Sequence, residues 1–368
     1  MSNAVYMDYN ASVPIRAQAA AAVAAALSIG GNPSSVHGHG RAARRVIEDA
    51  REQVAASIAA PAAAIVFTSG ATEANALALS GTGRERILVS AIEHDSVRQA
   101  VPNAEIVPVT PAGVVDLAVL AAMLAKDSRP ALVSLMLANN ETGVIQPVAD
   151  AARLAHAQGA LIHSDAVQAL GRVPVDVCTL GVDLLSLSAH KLGGPAGVGA
   201  LYRREGVALA AQLHGGGQER SQRAGTENVA GIAGFGAAAA LAADDLEKAG
   251  RLADLRDGLE KQIKAAAPQA VLFGATVQRL PNTAYVALPG VSAETQIMAL
   301  DLAGVSVSAG AACSSGKVKI SAVLSAMGAP ADLARSAIRI SLGWASKESD
   351  IDRFMAAWSR LSDRSLAA

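Results

Sequence analysis

The stretch LIHSDAVQALGRVPVDVCTLGVDLLSLSAHK, residues 161–191, contains two short apolar runs, and each run ends on polar residues. The apolar residues in 161–164 and 184–187 are adjacent rather than alternating with polar ones, which is typical of strands buried on both faces. Such strands belong to parallel sheets that are covered by helices. This stretch therefore indicates a layered α/β fold.

The same pattern extends outward in both directions along the chain. Further strand-like runs lie at residues 65–68, 87–90, 106–109, 132–137 and 199–202. Helical patterns separate most of them, and Ile47, Ala50, Val54 and Ile58 share one face of such a helix. We therefore predict an α/β fold with a mostly parallel seven-stranded sheet flanked by helices.

The character of the sequence changes near residue 245. Residues 242–266 form one long charged helical pattern, which we expect to connect two domains. The elements expected beyond it are two strands and one helix, at 284–288, 305–308 and 293–303. The predicted division is a large domain at 12–250 and a smaller α+β domain built from 1–11 and 251–368.

Composition narrows the function. The chain has 368 residues, 51% of them hydrophobic, which is too apolar for a disordered protein. A net charge of -1 and an aromatic content of 3% argue against nucleic-acid binding and against a membrane protein. The start, MSNAVYMDYN, shows no secretory signal, and two cysteines do not form a disulfide framework, so a cytoplasmic location is expected.

Polar residues at strand ends are the candidate site residues, because ligands of open α/β sheets bind at the carboxyl ends of strands. Each has an ordinary explanation by itself: a helix cap for the turns at 68–73 and at Asp165, a loop histidine for His94, and a solvated side chain for Lys191. The candidates are Thr72, His94, Asn140, Asp165, Gln168, Ser188, His190 and Lys191. Together they suit pyridoxal phosphate, which needs a lysine for its aldehyde, a carboxylate for its ring nitrogen and a helix N-terminus for its phosphate.

Ten motifs follow one another in order along almost the whole chain. They are YMDYNASVP near the start, GNPSSVHGHG at 31–40, FTSGATEAN at 67–75, EHDS at 93–96, NNETGVIQP at 139–147, HSDAVQALG at 163–171, SAHKLGGPAGVGAL at 188–201, GGGQERSQRAGTENV at 215–229, SAGAACSSG at 308–316 and IRISLG at 338–343. This set resembles the cysteine desulfurases of the NifS and IscS type, within the class V aminotransferase group of fold-type I pyridoxal enzymes. The chain departs from that pattern at 74–76, where Ala, Asn and Ala replace paired asparagines.

The resemblance implies roles around pyridoxal 5'-phosphate. Lys191 would bond covalently to the cofactor, Asp165 would pair with its ring nitrogen, and His94 would stack on its ring and assist proton transfer. The other implied contacts are Gln168 and Asn140 near the ring hydroxyl, and Thr72, Ser188, His190 and Thr226 at the phosphate. Thr226 would serve the site of the second subunit, so a homodimer is implied.

The resemblance also implies the substrate chemistry. Arg339, with Asn140, would bind the carboxylate of L-cysteine. Cys313 would take the sulfur as a persulfide, leave L-alanine and pass the sulfur to an acceptor protein or an iron–sulfur scaffold. Its Gly-, Ser- and Ala-rich neighbours predict a loop that could move between cofactor and acceptor. Cys178 matches no catalytic motif and is predicted to be a small core residue.

Other functions remain open from the sequence. A selenocysteine lyase or another class V aminotransferase would share the fold and Lys191, and a non-catalytic sulfur-relay protein is a further alternative. A nicotinamide oxidoreductase would also have the βαβ pattern, but SGATEA stands where a G-x-G-x-x-G turn is needed. A metal site at His37 and His39 is not expected, because no carboxylate or cysteine lies close to them in the sequence.

Overall fold

The structure is a computed structural model that describes residues 4–310 and 320–366. Its strands are β1 (Val5–Tyr6), β2 (Ile65–Thr68), β3 (Arg86–Ser90), β4 (Glu105–Val107), β5 (Ala131–Ser134), β6 (Leu161–Asp165), β7 (Leu184–Ser188), β8 (Gly199–Arg203), β9 (Val271–Phe273), β10 (Thr283–Ala287), β11 (Val305–Ser306) and β12 (Ala337–Ser341). Its helices are α1 (Ala17–Leu27), α2 (Gly38–Ala56), α3 (Ala71–Gly81), α4 (Asp95–Arg98), α5 (Leu117–Lys126), α6 (Val148–Ala157), α7 (Val177–Leu180), α8 (Val229–Ala239), α9 (Ala242–Glu247), α10 (Ala249–Ala266), α11 (Ala293–Leu302), α12 (Ala322–Ala326), α13 (Ala331–Arg335) and α14 (Glu348–Leu366).

The seven predicted strands lie in one sheet, in the order β2-β8-β7-β6-β5-β3-β4. β8 runs antiparallel to both of its neighbours, and the other neighbouring strands are parallel. The prediction of a mostly parallel seven-stranded sheet is therefore confirmed. The parallel strands end at one edge of the sheet, which brings the polar residues that follow them close together.

Both faces of this sheet are covered, which explains why its strands are continuously apolar. Along β2, Ile65 and Phe67 pack into one hydrophobic cluster, while Val66 between them packs into another. The first cluster contains residues of α2 and α8, and the second contains residues of α3. Alternate side chains of one strand therefore serve two helical layers.

Small residues let α8 pack very closely against α1 and α2. A side chain at Gly234 would lie 2.6 Å from Val23 of α1, and one at Gly236 would lie 2.7 Å from Ala50 of α2. By length and composition alone, residues 229–247 are also apolar enough to span a membrane, and 44% of their apolar stretch is buried in the fold. The close packing of α8 on two helices is typical of small-residue helices inside a folded protein.

A second group of elements follows the large sheet. β12, β10 and β9 form a three-stranded antiparallel sheet, and β1 pairs with β11 in parallel. Residues of α10, α11 and α14 form a hydrophobic cluster with these strands, and Val5 and Met7 belong to the same cluster. The N-terminal segment thus packs with the C-terminal third of the chain, as the predicted domain division requires, although the boundary itself stays a prediction.

Two sequence predictions are wrong in detail. The long helix predicted over 242–266 breaks at Lys248, where φ is -92° and ψ is -1°. The two parts pack on different cores, because Ala242 belongs to the cluster of the large sheet and Ile263 to the cluster of the second group. Cys178 is exposed rather than buried, since α7 buries Val177 and turns the next residue outward.

Strand and helix ends also shift by a few residues. The run at 132–137 forms a strand only as far as Ser134, yet its backbone stays beside β6, because the Leu135 and Leu137 N–H groups donate to His163 and Asp165 carbonyls at 3.0 and 2.9 Å. The strand expected at 305–308 ends at Ser306. These differences do not move any strand out of its predicted sheet.

Candidate active site

A cavity of about 1180 Å³ lies at the carboxyl ends of the parallel strands. The predicted site residues that line it are Thr72, His94, Asn140, Asp165, Gln168, Ser188, His190, Lys191 and Arg339. Thr226 is exposed and does not line the cavity of its own chain, so its role toward a second subunit stays a prediction. Cys313 lies outside the described residues.

Lys191 follows β7 in a short 3-10 turn and extends into the cavity. Its Nζ donates hydrogen bonds to the carbonyl oxygens of Asn10 at 2.5 Å and Ala11 at 2.9 Å. Burial, with smaller effects from the neighbouring Arg339 and Arg172, lowers the pKa of Lys191 to about 7. A large share of the amine is therefore neutral near pH 7, as a nucleophile or a base must be.

Asp165 ends β6 with both carboxylate oxygens engaged. Oδ1 accepts from the Val167 N–H at 3.0 Å, and Oδ2 accepts from Nδ2 of Asn75 at 2.9 Å. Asn75 also donates to Oγ of Ser96 at 2.9 Å, and that hydroxyl lies 2.8 Å from Nδ1 of His94. A buried amide and a serine therefore connect the predicted ring-nitrogen partner with the predicted ring-stacking histidine.

Sequence reasoning missed both connecting residues. Asn75 stands three residues after Thr72 on α3, so the two residues share a helix face toward the cavity side. Asn75 is buried while the neighbouring positions Ala74 and Leu77 are apolar. A lone amide among apolar residues, one turn after a candidate site residue, was the signal that could have identified it.

The N-terminus of α3 supplies the predicted phosphate end of the cavity. Gly70 is its N-cap and provides no side-chain hydrogen bond, and Glu73 lies in the first turn, as at an ordinary helix start. The first N–H groups of a helix lack intrahelical partners and suit an anion. β8 passes directly behind the turn, because a side chain at Gly199 would lie 2.6 Å from the Gly70 backbone.

Three side chains that line the cavity at this end are neutral hydrogen-bonding groups. Thr72, Ser188 and His190 line the same cavity. Burial, followed by the neighbouring Lys191, lowers the pKa of His190 to about 4, so its ring is neutral at pH 7. Nδ1 of His190 lies 3.3 Å from Oγ of Ser12.

Arg339 approaches the cavity from β12 of the second sheet. It pairs with Asp8 at 2.7 Å and donates to the carbonyl oxygen of Asn140 at 3.0 Å. Its Nε is buried and makes no hydrogen bond among the residues that the structure describes. The Arg339 side chain also lines the cavity, so its guanidinium can bind a further anion there, such as a carboxylate.

The N-terminal segment is the second feature that sequence reasoning missed. The carbonyl of Asn10 accepts from Lys191 and, at 2.9 Å, from Nε2 of Gln168. The Asn10 amide reaches Thr283 of β10 at 2.9 Å. Asn10 thus connects the turn that contains Lys191 with the three-stranded sheet, although Asn10 and Thr283 are more than 270 residues apart in the sequence.

Within the described ranges, no group of three or more His, Cys, Asp and Glu side chains is arranged to hold a metal ion. His37 instead caps α2, where its Nδ1 accepts from the Gly40 N–H at 3.2 Å.

Comparisons with known proteins identify the family of the chain. The sequence pattern of the family described as Aminotransferase class-V matches residues 5–354. The cysteine desulfurase IscS of Dictyoglomus turgidum is 41% identical over 379 residues, which cover 99% of this chain and 96% of that protein. A cysteine desulfurase of Cereibacter sphaeroides is 44% identical over 366 residues, which cover 95% of this chain and 94% of that protein.

A solved structure extends the likeness to three dimensions. The X-ray structure of a NifS-like protein from Rickettsia africae is 35% identical, covers 98% of this chain and 100% of its own, and has a TM-score of 0.92. The resemblance inferred from the motifs and the fold-type I architecture are both confirmed. The chain belongs to the aminotransferase class-V family, among the relatives named cysteine desulfurases of the IscS and NifS-like type.

Proposed function

We propose that this chain is a pyridoxal-phosphate-dependent cysteine desulfurase, which converts L-cysteine to L-alanine and holds the sulfur as a persulfide on Cys313. The observation that carries the proposal is the single cavity that contains Lys191, Asp165, the N-terminus of α3 and Arg339. These groups come from four separate parts of the sequence. The relatives that match almost the whole chain are named cysteine desulfurases, and we take the reaction from those names.

The residues of the cavity fit pyridoxal phosphate by their chemistry. A lysine whose pKa is lowered to about 7 suits a bond to an aldehyde, and a carboxylate held by Asn75 suits a protonated ring nitrogen. The α3 N-terminus with Thr72 and Ser188 suits the phosphate. When bound, this group withdraws electrons from the α-carbon of an amino acid and so makes that carbon acidic.

The chain's own residues would then bind the substrate and move its proton. Arg339, which lines the cavity beside Asn140, would bind the substrate carboxylate through its guanidinium. The neutral Nζ of Lys191 would accept the α-proton, because its lowered pKa makes it a base near pH 7. The Ser96 N–H donates to Nδ1 of His94 at 3.1 Å, so the neutral ring carries its hydrogen on Nε2 and could donate it.

Cys313 would act as the nucleophile, as its motif implies. Its thiolate would form an S–S bond to the substrate sulfur while the C–S bond of the substrate breaks. The electron pair of that bond stays with the carbon side, which takes up protons and leaves as alanine. An acceptor protein, such as an iron–sulfur scaffold, would then receive the sulfur, and Thr226 would complete the site of the second subunit in a homodimer.

The test is the release of alanine and sulfide from L-cysteine by the cofactor-loaded protein in the presence of a reductant. Cys313→Ala is measured beside it, with Cys178→Ala as the matched control, since Cys178 is exposed on α7. We expect equimolar products from the wild type and from Cys178→Ala, and no sulfide from Cys313→Ala. A loaded wild type that releases neither product would refute the proposal.

Two further measurements distinguish the proposed function from the alternative enzymes. Transamination that survives in Cys313→Ala would identify a class V aminotransferase of another specificity. Turnover of L-selenocysteine without turnover of L-cysteine would identify a selenocysteine lyase.

A further inference from the structure

Cys313 belongs to the segment 311–319, called here the Cys313 segment. The described residues on both sides of this segment are linked by hydrogen bonds to one buried carboxylate, that of Glu141. On the N-terminal side, the Tyr285 hydroxyl lies 3.1 Å from the carbonyl oxygen of Ala309. On the C-terminal side, Oγ of Ser321 donates to Oε2 of Glu141 at 2.5 Å. The Tyr285 hydroxyl also lies 3.1 Å from the same Oε2, so Glu141 and Tyr285 connect both sides.

Glu141 is held rigidly at the edge of the large sheet. Oδ1 of Asn139 accepts from the N–H groups of Glu141 and Thr142 at 3.0 and 2.9 Å. Nδ2 of Asn139 donates to the carbonyl of Ile92 at 3.1 Å. This turn after β5 therefore holds the backbone from which the Glu141 side chain extends.

Tyr285 is fixed from the second sheet. It lies on β10, is fully buried, and packs its ring against Phe273 with centroids 5.8 Å apart. Gly310 lies against the phenol, because a side chain there would lie 3.0 Å from the hydroxyl oxygen and φ is +83°. Glycine is therefore required at this point by both space and backbone conformation.

A count of hydrogens shows how the cluster is satisfied. Tyr285 has one hydroxyl hydrogen and two acceptors at 3.1 Å, the Ala309 carbonyl and the Glu141 carboxylate. Burial raises the pKa of Glu141. When Glu141 carries a proton, it can donate to the Tyr285 oxygen, and Tyr285 can then donate to Ala309. The Tyr285 hydroxyl, Oε2 of Glu141 and the Ala309 carbonyl then each have a partner.

The cluster borders the cavity of the candidate active site. Glu141, Gly310 and Ile320 all line that cavity. Cys313 follows Gly310 by three residues in the sequence, and three residues of chain span at most about 11 Å. The described residues that flank the segment with Cys313 in the sequence, Gly310 and Ile320, therefore both stand at the cavity wall.

From this geometry we infer that Glu141 and Tyr285 are positioning residues for the nucleophile, which hold the two sides of the Cys313 segment at the rim of the cavity. The inference rests on the proposed function, since it concerns the step in which Cys313 takes the sulfur. Neither side chain is assigned a role in cofactor binding or in removal of the α-proton.

The test compares Tyr285→Phe with the matched control Tyr202→Phe. Tyr202 is a buried tyrosine on β8 that does not line the cavity. Two rates are measured: deuterium exchange at the α-carbon of L-alanine, which needs Lys191 and not Cys313, and sulfide release from L-cysteine. For Tyr285→Phe we expect sulfide release to fall by about tenfold or more while exchange stays within about twofold of wild type. Tyr202→Phe should leave both rates within about twofold.

Variants of Glu141 provide a second, independent test of the inference. Glu141→Gln keeps the shape of a protonated glutamic acid and a hydrogen-bond donor beside Tyr285, whereas Glu141→Leu removes every polar atom of the side chain. We expect Glu141→Gln to keep most sulfide release and Glu141→Leu to lose it by about tenfold or more with α-exchange retained.

The outcomes separate this inference from the proposed function. A wild type that makes no alanine and sulfide refutes the proposed function. An active wild type with unchanged sulfide release in Tyr285→Phe overturns the positioning role. Equal losses of exchange and sulfide release in Tyr285→Phe would also overturn it, because they indicate general damage to the site.

Discussion

Replacement of Asn75 by alanine should weaken the binding of pyridoxal phosphate, because Asn75 orients the carboxylate of Asp165. Asn75 is fully buried and donates to Oδ2 of Asp165 at 2.9 Å. The other oxygen of Asp165 keeps its backbone partner, the Val167 N–H at 3.0 Å. The variant therefore leaves Asp165 in place but free to turn about its remaining hydrogen bond.

The size of the effect follows from the type of hydrogen bond. A hydrogen bond to a charged group contributes about 1.5–3 kcal/mol. Each ~1.4 kcal/mol is a factor of ten in an equilibrium constant. Loss of the whole contribution from the cofactor-bound protein would raise the dissociation constant by about 10- to 100-fold. The truncation also leaves Oγ of Ser96 without its Asn75 donor, so the free energy of unfolding should fall by about 1–3 kcal/mol.

The assay is an absorbance titration of the cofactor-free protein with pyridoxal phosphate, with urea unfolding as the check on folding. Ser96→Ala is the matched control, because it removes the neighbouring hydroxyl and leaves the contact between Asn75 and Asp165. We expect Ser96→Ala to bind the cofactor within about threefold of wild type. A folded Asn75→Ala variant with an unchanged dissociation constant would refute the reasoning.

Three further predictions follow from burial and close contact. Burial lowers the pKa of Lys191 to about 7 from 10.5, so the rate at which the cofactor-free protein bonds to pyridoxal phosphate should rise with pH about a midpoint near 7. The unfolded chain keeps that proton up to higher pH, so the free energy of unfolding should also rise between pH 7 and 10.5. If stopped-flow measurements gave a midpoint near pH 10 for the rate of bond formation, the lowered pKa and both predictions would be wrong. Arg51→Met should lower the free energy of unfolding by about 3–5 kcal/mol, because it leaves the buried Glu219 carboxylate without its partner at 2.7 Å. Urea denaturation would contradict this prediction if the loss were under about 1 kcal/mol. In Gly199→Ala the new methyl group would lie 2.6 Å from the Gly70 backbone and should displace it. We expect the free energy of unfolding to fall by about 1–3 kcal/mol and cofactor binding to weaken. An unchanged free energy of unfolding and an unchanged dissociation constant would show that the turn at Gly70 accommodates the methyl group.

The sequence alone determined the sheet and the place of the site on it. Strands buried on both faces are continuously apolar, so residues 184–187 and the other six runs were recognisable without tertiary information. Parallel strands bring their carboxyl ends to one edge, so polar residues at those ends had to meet. Lys191, Asp165 and His94 were predicted in this way, and all three line one cavity.

The tertiary structure alone decided which residues support them. Asn75 contacts Asp165 across 90 residues, and Asp8 pairs with Arg339 across 331, and no local pattern encodes such distances. The break at Lys248 and the exposure of Cys178 have the same origin, because they depend on which core each helix meets. Periodicity reports which face of an element is buried, but a buried polar pair forms only where the completed fold brings two side chains together.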